Sequence, residues 1–385
     1  MRRRDDLVFS MAEFERRLAN LRAEMDHRAI DALIVTTPEN LFYLTGYQTP
    51  GYYYFQALVV PLDGEAFMVT RLLEDSNVQT RTWIEQSRPY ADTDLPVGAL
   101  THALVEFGLS HARIGYEKHS YFFRADEQER LIFAMEDATF LDCSGIVEGL
   151  RLIKSPDEIE TMRQAARTTE AGMRAGIEAV GAGVNENEVA AEIHRAMIRA
   201  GSHYPAISPF VASGWRCAVG HATWEDREIE QGDCVFLEVG GCRNRYHAPL
   251  MRTLFVGEPI PEVAEAEQVI NEAVAEAVDA MRPGVAAGDI DHLCRQALAR
   301  YSHGGTQSTR SGYSVGVAFA PDWGEGHILS LQPGEHHYLE ENMVFHLIPW
   351  LQVPGLAGVG ISETVLVTRE GAKPLLDLER TIFVK

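Results

Sequence analysis

The chain has 385 residues, more than one typical core holds, so two or three domains are expected. Apolar (46%) and charged (23%) residues occur as in an ordinary soluble globular protein, and no apolar run approaches the roughly 18 residues a membrane span needs. The net charge of -22 argues against nucleic acid and anionic lipid as partners.

The start, MRRRDDLVFS, lacks the apolar core of a secretion signal, so a cytoplasmic location is expected. Ser10 with Glu13 forms a capping-box signal, and Phe14, Leu18, Leu21 and Met25 follow at helical spacing. The runs 31–37, 53–62 and 64–73 are β-rich and bounded by turn residues, and strand and helix signals alternate to about residue 148. These features predict a compact α/β first domain over 1–149. A second domain, 150–385, opens at RLIKSPDEIETMRQAA, where Ser155 can cap, Pro156 fits the first helical turn and Glu158 completes the box. Strands are expected around 206–256, helices over 261–281 and 288–302, and strands from there to the end: two αβ halves in tandem. The polar loop 302–312 is a candidate site-lining segment. Cys143, Cys217, Cys234, Cys242 and Cys294 are odd in number and form no C-x-x-C, which argues against disulfides and structural zinc.

One hairpin frames the chemistry. FLEVGGCRNRYHAPLMRT places a carboxylate, Glu238, on an apolar strand, and Gly240 and Gly241 are expected to mark a turn. A lone carboxylate there costs several kcal/mol unless it is paired, with Arg252 as the obvious structural partner, or used in chemistry.

Four separated stretches, RLIKSPDEIETMRQA, GDCVFLEVG with YHAPLMRT, GYSVG, and NMVFHLIP with GISETVLV, resemble in order and spacing the pita-bread superfamily of methionine aminopeptidase, aminopeptidase P, prolidase and creatinase. The resemblance implies an α+β fold: a pita-bread catalytic domain behind a smaller creatinase-like α/β domain. In the peptidases two metals are held by Asp, Asp, His, Glu and Glu. Carried onto this chain, those positions fall on Glu238, Pro249, Tyr313, Ile348 and Glu363. Two carboxylates make a poor metal site, so the expectation is no metal and no other cofactor.

The creatinase branch implies an alternative, hydrolysis of a C–N bond in a substrate that brings its own positive charge. GHATWEDREIEQGD, RNRYHAPLMRT and GYSVGVAFAPDWGEGH resemble the part of that branch that opens a cyclic amidine carboxylate. On this reading a zwitterionic amidine takes the space of the metals, balanced by Glu238 and Glu363. Glu238 attacks the amidinium carbon or activates a water, His221 moves the proton, and Glu363 holds the amidinium N–H groups. Substrate-binding candidates are Tyr313, Trp323, Tyr246, His327 and His346, each of which could equally be a core or surface group. Arg71 and Arg310 are alternative clamps for the substrate carboxylate. Arg71 implies a homodimer with shared sites, since creatinase-like dimers send an arginine into the partner's cleft. The rivals are a metal-dependent Xaa-Pro dipeptidase with unusual ligands, a creatinase-like amidinohydrolase, and a ligand-binding relative without activity.

Overall fold

The computed structural model describes residues 1–304, 309–353 and 355–385, so the middle of the polar loop expected at 302–312 lies outside the described residues. By their internal contacts these residues form two compact units, Met1–Arg151 and Leu152–Lys385.

In the first unit the helix Met11–His27 begins where Ser10 Oγ accepts the Glu13 N–H. Only half of the expected capping box forms, because the Glu13 carboxylate turns along the helix to Arg16 and Arg17, at 2.7 and 2.9 Å. Phe14, Leu18, Leu21 and Met25 are buried, as their spacing predicts. The six-stranded sheet is mixed: Ala32–Val35 runs antiparallel to Ala57–Pro61 and parallel to Arg113–Tyr116. All three expected strands come out shorter; beyond Ala32–Val35, the next two are Ala57–Pro61 and then Phe67–Val69. Tyr53 and Tyr54 stay exposed ahead of Ala57, and Arg71 beyond Val69 caps a short 3-10 turn, Leu72–Glu74.

The second unit opens on the helix Pro156–Ala179, whose capping box is complete: Ser155 Oγ accepts from the Glu158 N–H and Glu158 accepts from the Ser155 N–H at 2.9 Å. This helix and Glu186–Arg199 cover a four-stranded sheet that includes Phe210–Ser213, Cys234–Arg243 and Tyr246–Phe255. The helices Pro261–Ala280 and Ala287–Leu298 belong to the second half, whose five-stranded sheet includes Gly312–Ser314, Val344–Leu347 and Glu363–Thr368. Among the described residues no helix is long and apolar enough to cross a membrane.

The hairpin corrects the expected turn. Gly240 and Gly241 do not turn the chain; they sit inside Cys234–Arg243, paired with Pro249 and Ala248 of Tyr246–Phe255. The turn is Asn244–Arg245, both with positive φ (44° and 63°), the pattern of a tight two-residue hairpin loop. The glycines serve close approach on opposite faces. A Cβ on Gly240 would stand 2.5 Å from the Trp323 ring, and one on Gly241 would meet Thr168, Thr169 and Ala165 of the opening helix.

A buried ion pair joins the two sheets. Arg252 donates to Glu363 Oε1 at 2.8 Å and to the carbonyls of Met251, Ser362, Leu378 and Glu379. Next to it the Met251 N–H donates to Ser362 Oγ at 2.7 Å.

Candidate active site

Phe236 and Glu238 alternate with buried neighbours along Cys234–Arg243 and remain half-buried, so this face of the strand borders open space. Glu238 lies opposite Phe210 in the sheet. The Phe210 ring stacks on His221 (centroids 5.5 Å apart) and meets Trp323 edge-on at 5.7 Å. His221 is exposed and has a φ of 58°, uncommon for a residue with a Cβ. Glu238, Phe210, His221 and Trp323 thus gather at one place on this sheet, which is taken as the candidate cleft.

Behind Trp323 runs a chain of hydrogen bonds. The Trp323 Nε1–H donates to Tyr313 Oη at 3.0 Å, Tyr313 Oη lies 2.9 Å from His346 Nδ1, and His346 Nε2 lies 2.7 Å from Ser362 Oγ. Gly312–Ser314 and Val344–Leu347 are neighbouring strands with Tyr313 opposite His346, and Ser362 directly precedes Glu363–Thr368. Burial, aided by the charges of Arg252 and Arg310, pushes His346 down to about 3 and keeps the ring neutral. Burial and the charge of Glu238 hold the Tyr313 phenol well above its ordinary value.

Glu238 has no hydrogen bond or ion pair among the described residues. Removal from water, and then the Asp322 carboxylate, push its carboxyl up to about 8. Among the described residues no cationic side chain pairs with it, an uncommon state for a carboxyl removed from water.

The structure redistributes several expected site residues. Glu363 does not stand beside Glu238. Its carboxylate is spent on Arg252, at 2.8 Å. The physical reason is strand alternation: Ser362 turns toward His346, which sends Glu363 to the opposite side. The same pair removes Arg252 as a partner for Glu238. Tyr246 is also withdrawn from the cleft, since its buried hydroxyl donates to Glu158 Oε1 at 2.7 Å and ties the second hairpin strand to the opening helix. Tyr313, Trp323 and His346 are brought together. Arg310 lies with its guanidinium 4.5 Å from the Tyr313 ring centroid and donates to Ser330 Oγ. His327 is exposed. Arg71, in the first unit, is held by both carboxylate oxygens of Asp92 and covers the Tyr54 ring. Sequence reasoning missed Phe210, Asp322 and Ser362. Only Ser362 carried a usable signal, its place one residue before Glu363 in GISETVLV.

The positions that imply metal ligands do not fit two metal ions. Pro249 and Ile348 offer no donor side chain, the Tyr313 hydroxyl bonds Trp323 and His346, and Glu363 pairs with Arg252. Among the described residues no three His, Cys, Asp or Glu side chains gather as a metal site.

Gly240→Ala tests the role of Trp323. The added methyl must displace the indole, which is expected to cost about 1–3 kcal/mol of stability. Tryptophan fluorescence should report the displacement and kcat should fall; an unchanged spectrum with unchanged kcat removes Trp323 from the site.

Residues 160–369 match the metallopeptidase family M24, and residues 17–153 match the creatinase/prolidase N-terminal domain. The chain is 33% identical to an ectoine hydrolase of Halomonas elongata, over 98% of this chain and 99% of that protein. It is 28% identical to an Xaa-Pro dipeptidase of Pyrococcus furiosus, over 95% and 99%. Among solved structures, a dipeptidase of Pyrococcus horikoshii superposes with a TM-score of 0.81 at 27% identity, covering 96% of this chain and 100% of that one.

Proposed function

The chain belongs to metallopeptidase family M24, and from that premise we propose that it is a metal-independent hydrolase that opens the cyclic amidine ectoine to an N-acetylated 2,4-diaminobutyrate. One observation carries the reading: Glu238 is a half-buried carboxyl, facing a cleft, with no cation beside it. An amidinium supplies that cation.

Bringing a positive charge to Glu238 favours its carboxylate form, and Asp322 adds a second negative charge nearby. Trp323 offers an aromatic ring on which a flat amidinium can stack. Glu238, directly or through a water, delivers oxygen to the amidinium carbon. One C–N bond then breaks and His221 gives the departing amine its proton; after direct attack a water hydrolyses the Glu238 ester, freeing the acetamide and the carboxyl, so either route consumes one water. Arg310 is the clamp for the substrate carboxylate within this unit.

A homodimer is part of the reading, with Arg71 of the partner subunit completing the clamp. Arg71→Ala is expected to raise KM more than it lowers kcat, the mark of uniform substrate binding. Mixing Arg71→Ala with Glu238→Gln subunits should recover activity in heterodimers; heterodimers with no recovery would count against a shared site.

The substrate is tested by incubating the protein with ectoine, creatine or a Gly-Pro dipeptide and identifying products by mass. Ectoine consumed and the dipeptide left intact is the expected outcome. Cleavage of the dipeptide alone replaces this reading with the dipeptidase one.

A further inference from the structure

The hydrogen-bond chain behind Trp323 has a direction that its distances alone do not give. Ser362 is fully buried, and its Oγ already accepts the Met251 N–H at 2.7 Å. Its other neighbour is His346 Nε2, also at 2.7 Å, and no further acceptor for the hydroxyl stands among the described residues. If Nε2 carried the imidazole proton, Ser362 would accept twice and its own proton would be buried without a partner, which is the costly arrangement. With the Ser362 O–H donating to Nε2, the proton of the neutral ring sits on Nδ1 and is donated to Tyr313 Oη at 2.9 Å. Tyr313 Oη then accepts twice, from His346 and from the Trp323 Nε1–H. Its own O–H is the one proton of this hydrogen-bond chain left over; the hydroxyl is bonded to Trp323, whose ring meets Phe210 opposite Glu238, and the Glu238 charge acts on Tyr313.

We propose that Ser362, anchored by the Met251 N–H, is a positioning residue that fixes the His346 tautomer and so aims the Tyr313 O–H into the cleft as a hydrogen-bond donor to the oxygen that forms on the substrate carbon. The proposal rests on the amidine reading for the identity of that oxygen. An amidinium offers N–H groups and no lone pair to such a donor, so the bond to Tyr313 forms only after oxygen has been delivered to the carbon. A donor that waits for the intermediate accelerates turnover without tightening substrate binding. A hydroxyl is also the group suited to the task in a cleft that receives a cation, since it donates without adding positive charge. That gives a chemical reason for tyrosine at a position where the metal enzymes imply histidine.

Neutron diffraction from perdeuterated crystals tests the proton order without any substrate. The expected map shows deuterium on His346 Nδ1, none on Nε2, the Ser362 deuterium toward Nε2 and the Tyr313 deuterium toward the cleft; deuterium on Nε2 overturns the proposal. Activity on ectoine tests the consequence. Tyr313→Phe is expected to lower kcat on the order of 10²-fold with KM little changed. Ser362→Ala should lower kcat about tenfold, and Ser362→Thr, which keeps the hydroxyl, should restore it. A rise in KM at constant kcat for Tyr313→Phe also overturns the proposal, because the donor would then serve the substrate carboxylate. If Ser362→Ala does not fold, the neutron map and Tyr313→Phe still decide. The predicted proton order together with no turnover of ectoine defeats the amidine reading and leaves the relay standing.

Discussion

Glu238→Gln is expected to fold normally and to lose turnover by roughly 10³-fold or more. The substitution keeps the shape of the side chain and removes both the charge that attracts an amidinium and the oxygen that attacks it or activates water. A covalent route adds that a trapped wild-type reaction carries the mass of the substrate on the peptide holding Glu238, whereas a water route leaves that peptide unmodified.

The same carboxyl sets the pH dependence. Its proton in the free enzyme is held up to about 8, so kcat/KM should rise with pH through that region. The acid limb of kcat should lie lower, because a bound cation favours the carboxylate. The effect on stability has the opposite sign. Between the ordinary carboxyl range and about 8 the unfolded chain has already released this proton while the folded protein still holds it, so folding stability falls as pH rises across that window. Glu238→Gln should therefore gain in Tm over wild type as pH is raised from 5 to 8. A variant with near-normal kcat, or a Tm difference that shrinks with pH, contradicts the role given to Glu238.

Glu363→Ala is expected to behave in the reverse way, costing about 3–5 kcal/mol of stability while sparing kcat per folded molecule. It strips the partner from Arg252, which is buried where the two sheets meet and has its charge matched by Glu363. Burial raises the Glu363 carboxyl more than Arg252 lowers it, so the pair is expensive to desolvate, and its loss hurts chiefly through the charge left behind. The double replacement Arg252→Met with Glu363→Leu should then recover much of the stability. Denaturant unfolding measures the first effect and initial rates on the folded fraction the second. A stable Glu363→Ala protein that has lost turnover would return this carboxylate to the cleft.

That pair shows where the sequence stops being legible. Motif order gave the fold class and the opening helix with its complete cap, and it picked out the stretches that carry Glu238, Tyr313, Trp323 and His346. It could not tell which of two adjacent residues, Ser362 or Glu363, faces the cleft, because a shift of one position on a strand exchanges the faces. Gly240 and Gly241 looked like a turn because glycine is the commonest turn signal. Their purpose, room for Trp323 on one face and for a helix on the other, depends on side chains far away in the chain. Asp322 carried no motif of its own, and its effect on Glu238 appears only once the chain is folded. Tyr246 lay in the matching stretch and was read with it, yet its hydroxyl is spent on Glu158.

On the proposed function a cationic amidine, faced by Glu238, takes the space where the metallopeptidases hold metal. The most direct test takes one preparation, strips it with a strong chelator, verifies its metal content by elemental analysis, and follows ectoine opening before and after zinc or manganese is returned. Full turnover of the metal-stripped protein is expected, with the acetylated diaminobutyrate identified by mass and no gain on adding metal. Turnover lost on stripping and restored by stoichiometric metal would contradict it.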